Sequence, residues 1–158
     1  PKKIGIMGFS AGGHLASMCA TMFDDKFEAE TKDAIDALSC RPDFQILGYP
    51  VIAMGTKHGH GGSQNNLLGK DISKEEAAKF NTTNRLTKEC PPLFFVHSSD
   101  DRAVPLRNSM DYSARAAELG IPVTGIVYPT GGHGYGQKGR QAAVGWTDGL
   151  DRWLRSLR

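Results

Sequence analysis

Long apolar runs are missing from this chain. The most continuous ones are short and strand-like, as in Leu93 to Val96, and a membrane-spanning helix needs about 18 or more, so no membrane partner is expected. Cysteine is scarce. Cys19, Cys40 and Cys90 form no CxxC pair, and an odd count argues against a disulfide framework. Each is read as a small core or loop residue. Charge never gathers into a block: 19 basic residues stand against 17 acidic ones, scattered along the chain for a net +2, which argues against a nucleic-acid face. An initiator methionine and a signal-peptide pattern are also absent, since Pro1-Lys2-Lys3 runs directly into the strand-like Ile4-Gly5-Ile6-Met7. The natural start is therefore expected upstream. The compartment, whether secreted, periplasmic or cytoplasmic, stays open.

What is present has the balance of an ordinary soluble domain, 39% hydrophobic and 23% charged over 158 residues, so a single domain spanning 1–158 is expected. Strand-like segments fall at Ile4 to Met7, Asp43 to Leu47, Leu93 to His97 and Val123 to Tyr128. Helical patterns fall at His14 to Phe23, Leu106 to Leu119 and Gln141 to Leu157. The second of these helices is stopped by Gly120 and Pro122, and the last repeats Trp146, Leu150, Trp153 and Leu157 near a 3.6-residue period. Strands alternating with helices predict a parallel sheet and the α/β class. Met54 to Thr87, glycine-rich at its start and with a helical pattern over Ser73 to Phe80, is read as a cap-like insertion (54–87) over the sheet's carboxyl end.

Gly8-Phe9-Ser10-Ala11-Gly12 fits G-x-S-x-G, whose physical demand is a sharp strand-to-helix turn that strains the serine and exposes its hydroxyl. In a chain with 19 glycines the pattern alone is weak. Its context, an apolar strand before and an amphipathic helix after, is the setting such a turn requires. Ser10 is thus the candidate nucleophile. The helix start aims free N–H groups at it, so the Ala11 N–H is the candidate oxyanion donor.

A serine nucleophile needs a base, and the base needs an acceptor that fixes its tautomer, in the chain order Ser, Asp or Glu, His. After the third strand comes His97-Ser98-Ser99-Asp100-Asp101, at a strand's carboxyl end where open α/β sheets place their sites. Asp101 is preferred as the acid, and Asp100 is read as a turn or cap residue. After the fourth strand, Gly131-Gly132-His133-Gly134 puts a histidine on a pliable loop. His133 is the candidate base. Phe9 and Tyr135 are the candidate substrate contacts.

The other histidines have blander explanations: packing or a polar contact for His14, ordering of the acid loop for His97. His58 and His60 have no third ligand at a helpful spacing, so no metal site is expected. A phosphate loop is excluded because His14-Leu15 follows where Lys and Ser or Thr would be needed. No cofactor is called for.

Together these residues resemble the α/β-hydrolase superfamily, and within it the small acyl-carbohydrate esterases that include bacterial acetyl xylan esterases. The resemblance rests on Gly8 to Ala16, Gly48-Tyr49-Pro50-Val51-Ile52, Gly62-Ser63 with Asn66 to Gly69, Val104-Pro105 with Asn108-Ser109, and Tyr128 to Gly134, in that order. It implies a mostly parallel sheet flanked by helices, a Ser10–His133–Asp101 triad acting through an acyl-enzyme, a carbohydrate ester such as acetylated xylan as substrate, and 54–87 as a wall of the site.

Two departures stand out. The family sets several strands and a glycine-rich oxyanion loop before the nucleophile strand, whereas this chain opens at that strand. The N-terminal strands and second oxyanion donor are therefore expected outside these residues, upstream or in another copy of a homo-oligomer. Gln64 stands where the family leads one to expect a basic residue. The alternatives are an oligopeptidase- or dienelactone-type serine hydrolase, or an inactive fragment acting as an oligomerising or binding module.

Overall fold

The computed structural model describes residues 3–25, 33–138, 143 and 145–157. Four strands, β1 (Gly5–Phe9), β2 (Phe44–Gly48), β3 (Leu93–Ser98) and β4 (Val123–Tyr128), form one sheet in the order β1-β2-β3-β4. Every pairing is parallel. The helices are α1 (Ala11–Thr21), α2 (Gly61–Leu68), α3 (Lys74–Ala78), α4 (Arg107–Glu118) and α5 (Trp146–Ser156), with a 3-10 turn at Thr82–Arg85. Parallel neighbours require long crossover connections, which α1 and α4 supply after β1 and β3.

The inner strands explain the burial. All six residues of β3 are buried, and a two-residue side-chain period sends alternate ones to opposite faces. Leu93 and Phe95 join Leu47, Ala16, Tyr112 and Ala116 in the core beneath α1 and α4. Phe94 and Val96 join Ile46, Trp146, Leu150 and Trp153 in the core beneath α5. The two faces of one strand thus seed two cores. Edge strands β1 and β4 leave part of their surface open.

Tyr112 shows how an inner strand tolerates a polar side chain. Gln45 of β2 is fully buried, and its Oε1 accepts the Tyr112 hydroxyl at 2.9 Å while its Nε2 donates to the Pro91 carbonyl at 3.1 Å. Burial holds the Tyr112 phenol far above its ordinary range, so it remains a donor.

Sequence and structure differ at element ends and over α2 (Gly61–Leu68), a helix where the sequence predicts only the glycine-rich opening of the 54–87 insertion. Helix α1 begins at Ala11 rather than His14, because the turn passes straight into helix after Ser10. Helix α5 begins at Trp146, with Gly145 ahead of it at φ 78; residues 141, 142 and 144 of the longer expected helix lie outside the described residues. The helix expected from Ser73 runs from Lys74 to Ala78 and carries a reciprocal cap, Ser73 with Glu76. Among the described residues, no helix is long and apolar enough to cross a membrane.

Candidate active site

Three chain segments converge at the carboxyl end of the sheet. Ser10, between β1 and α1, adopts φ 54 and ψ −120, a conformation L residues other than glycine rarely hold. The surroundings enforce it. The Ser10 N–H donates to the Gly48 carbonyl at 2.9 Å, and its own carbonyl accepts from His14 at 3.2 Å and Val51 at 2.9 Å. A serine before a helix commonly caps it, but this hydroxyl makes no capping bond and is left for other partners.

The G-x-S-x-G pattern sets glycines two before and two after Ser10, but only the first of them is sterically required. A Cβ on Gly8 would stand 2.0 Å from the Gly12 carbonyl oxygen, and one on Gly13 would stand 2.7 Å from the Pro50 side chain, whereas a Cβ on Gly12 would meet nothing within 4 Å. Close approach to Pro50 makes Gly13, not Gly12, the second constrained position.

The Ser10 Oγ lies 2.8 Å from His133 Nε2, and His133 Nδ1 lies 2.6 Å from Asp101 Oδ2. A carboxylate only accepts, so Nδ1 carries the proton and Nε2 is free to take one from the hydroxyl. The other Asp101 oxygen accepts the N–H groups of Ala103 and Val104, each at 2.9 Å. Asp101 is buried, with every contact serving to fix one orientation. The Ala11 N–H opens α1 and is among the first N–H groups that a helix leaves without an internal partner.

The histidine loop is held from several sides. Asp100 Oδ1 accepts the Gly132 N–H at 2.8 Å, and this backbone donor lowers the Asp100 carboxyl below its ordinary range. The Tyr49 hydroxyl accepts the Gly136 N–H at 2.8 Å, and the Tyr49 ring centroid is 4.7 Å from that of His133. Gly132 and Gly134 flank the histidine at φ 63 and 78, values that glycine reaches without steric cost.

Tyr135 corrects an expectation. Read from sequence as a substrate contact, it is 4% exposed, packed on Tyr49 at 4.6 Å between ring centroids, with its hydroxyl enclosed. Burial raises its phenol far above the ordinary range. It backs the histidine loop from inside the core. Phe9 is half-buried and packs on Tyr49 and Trp146.

Gln64, the residue standing in a basic residue's place, commits its carbonyl oxygen to the Gly55 N–H at 2.8 Å. His14 donates from Nε2 to the Phe80 carbonyl at 2.8 Å. His60 Nδ1 accepts the Ser63 N–H and caps α2. Among the described residues, no group of three or more His, Cys, Asp or Glu could hold a metal ion. A cavity of about 340 Å³ lies along α1, lined by Ala11, Leu15 and Met18 of that helix and by Met54, Ser63 and Leu67.

Tyr49 went unnoticed as a functional candidate in the sequence. Its signal was an aromatic residue between Gly48 and Pro50 at a strand's carboxyl end. What marks it in three dimensions is φ 35, an unusual backbone for a bulky residue.

The BD-FAE family profile matches residues 1–115. The chain belongs to the BD-FAE family. It is 36% identical over 148 residues to endo-1,4-beta-xylanase B of Butyrivibrio fibrisolvens, covering 94% of this chain and 23% of that protein. It is likewise 36% identical over 140 residues to the acetylxylan esterase of Xylanibacter ruminicola, covering 86% of this chain and 26% of that protein. Among solved structures, the acetyl ester-xyloside bifunctional hydrolase from Caldicellulosiruptor lactoaceticus superposes with a TM-score of 0.84 at 34% identity, over 97% of this chain and 56% of that one. The fold of this BD-FAE chain is therefore that of the α/β hydrolases. The chain spans about a quarter of the length of the curated relatives it matches.

Proposed function

We propose that this chain carries the catalytic machinery of a serine carboxylic-ester hydrolase that releases short acyl groups, acetyl foremost, from a carbohydrate. The observation carrying this reading is the unbroken hydrogen-bonded line from Ser10 Oγ through His133 to Asp101 at a strained strand-to-helix turn. The acetylxylan esterase among its relatives supports the substrate class.

The chemistry follows from the proton positions. His133 Nε2 removes the Ser10 proton as Oγ bonds to the ester carbonyl carbon, and Asp101 stabilises the imidazolium that results. The carbonyl oxygen becomes an oxyanion beside the Ala11 N–H. As the intermediate collapses, the bond from the carbonyl carbon to the sugar oxygen breaks and His133 gives its proton to that oxygen, so that the sugar leaves as an alcohol and the acyl group stays on Ser10. Water, activated by the same imidazole, cleaves the acyl-serine, releasing a carboxylic acid and restoring Ser10. No metal or organic cofactor takes part in this scheme. Segment 54–87 forms a wall of the site, with Met54, Ser63 and Leu67 lining the cavity along α1.

Labelling with a fluorophosphonate probe, alongside hydrolysis of p-nitrophenyl acetate and of acetylated xylan, tests the reading. Labelling confined to Ser10 with acetate release supports it. Labelling that persists in Ser10→Ala refutes the nucleophile, and turnover of p-nitrophenyl acetate without release from acetylated xylan refutes the substrate.

A further inference from the structure

The Asp101 carboxylate has a second imidazole beside it. His97, at the end of β3, has a side chain with no solvent exposure, and its Nε2 stands 3.3 Å from Asp101 Oδ2, the same oxygen that meets His133. That Nε2 is also 3.0 Å from the Val104 carbonyl, while Nδ1 is 2.8 Å from the Ser109 hydroxyl.

These contacts determine where the proton sits. A carbonyl oxygen only accepts, so Nε2 must carry hydrogen, and Nδ1 then presents a lone pair to the Ser109 O–H. The reverse tautomer would aim a lone pair at a carbonyl and a carboxylate together. A charged ring is disfavoured because burial holds His97 below its ordinary range.

We propose that His97 is a positioning residue for Asp101, a neutral imidazole locked by Ser109 as its Nε2–H tautomer, whose single donor is shared between the Val104 carbonyl and the carboxylate oxygen that meets the base. The proposal rests on the triad reading and extends it. A continuous line then runs from Ser109 on α4 through His97, Asp101 and His133 to Ser10.

The titratable groups around the carboxylate are His97 from β3 and His133 and Tyr135 from the loop after β4; Asp100 is committed to Gly132. With the His97 donor in place, part of the Asp101 charge is satisfied away from the base. With it removed, the carboxylate attracts the imidazolium of His133 more strongly. The acid limb of kcat/KM then moves up.

Nitrogen-15 NMR of the histidine-labelled protein reads the tautomer directly. The expected result is His97 neutral and Nε2-protonated from its ordinary midpoint of 6.5 up to about pH 9. An Nδ1–H tautomer, or a ring that charges within that window, overturns the proposal. Among variants, His97→Leu should lower kcat on p-nitrophenyl acetate roughly tenfold and move the acid limb of kcat/KM upward. His97→Gln, whose amide can donate near the Nε2 position, should restore most of both. Leu and Gln variants alike in rate, with the acid limb unmoved, overturn it. The NMR measurement needs no turnover and no variant. It therefore decides the His97 tautomer even if His97→Leu fails to fold, and separately from loss of the esterase reading.

Discussion

Asp100 and Asp101, adjacent in the chain, grip the same histidine loop at different points: Asp101 Oδ2 meets His133 Nδ1 at 2.6 Å, and Asp100 Oδ1 meets the Gly132 N–H at 2.8 Å. One carboxylate orients the ring and the other anchors the backbone that carries it. Their substitution by amides should separate these roles. Asp101→Asn is expected to lower kcat by about 10⁴-fold by permitting the wrong tautomer, and Asp100→Asn by tenfold or less, since an amide oxygen can still accept from Gly132. Steady-state kinetics on p-nitrophenyl acetate checks both, and the reverse ranking would exchange the assignments.

Ser10→Ala should eliminate probe labelling and ester turnover while leaving Tm nearly unchanged. The Ser10 hydroxyl makes no helix-capping bond, and the strained turn is held by backbone contacts to Gly48 and Val51 that alanine keeps. A large drop in Tm would mean that the hydroxyl has a structural role instead.

Tyr49→Phe keeps the ring against His133 but strips the acceptor from the Gly136 N–H. A half-buried donor left without its partner costs about 1–3 kcal/mol. The expected outcome is a lower Tm and a several-fold fall in kcat with little change in KM. A change confined to KM would assign Tyr49 to substrate contact rather than to holding the loop.

Two buried histidines make stability depend on pH. Burial lowers both His14 and His97 from the ordinary 6.5, so below that pH the unfolded chain binds protons that the folded one refuses. Stability then rises with pH in this window and is lost as pH falls below about 6.5. Melting temperatures measured down to about pH 5 should show this decline, and His14→Gln should flatten it. An equal slope in that variant would exclude His14 as a contributor.

Much of the architecture was legible locally. Val123 to Tyr128 was readable to the residue, because Pro122 and Pro129 bracket a run rich in β-branched residues. Helix α4 was bounded by Pro105 and Gly120 for similar reasons. The start of α1 is hidden in the sequence because glycines at 12 and 13 lower helix propensity, yet contact with Pro50 requires Gly13 to be small. Tyr135 is hidden for the opposite reason: beside glycines in a loop it reads as exposed, and only packing against Tyr49 shows it to be core.

Alternation of strand and helix, the strand-to-helix turn at Ser10 and the glycines around His133 are properties of neighbouring residues, and so the order of residues along the chain carried them. Distances between Ser10 and His133, 123 positions apart, are set by the parallel registry of four strands, which no local pattern encodes. The same registry placed Tyr49 beside the base, gave Asp100 and Asp101 separate duties and set His97 against the carboxylate. Those relationships depend on which strand ends meet at one edge of the sheet, and only the packed structure decides that.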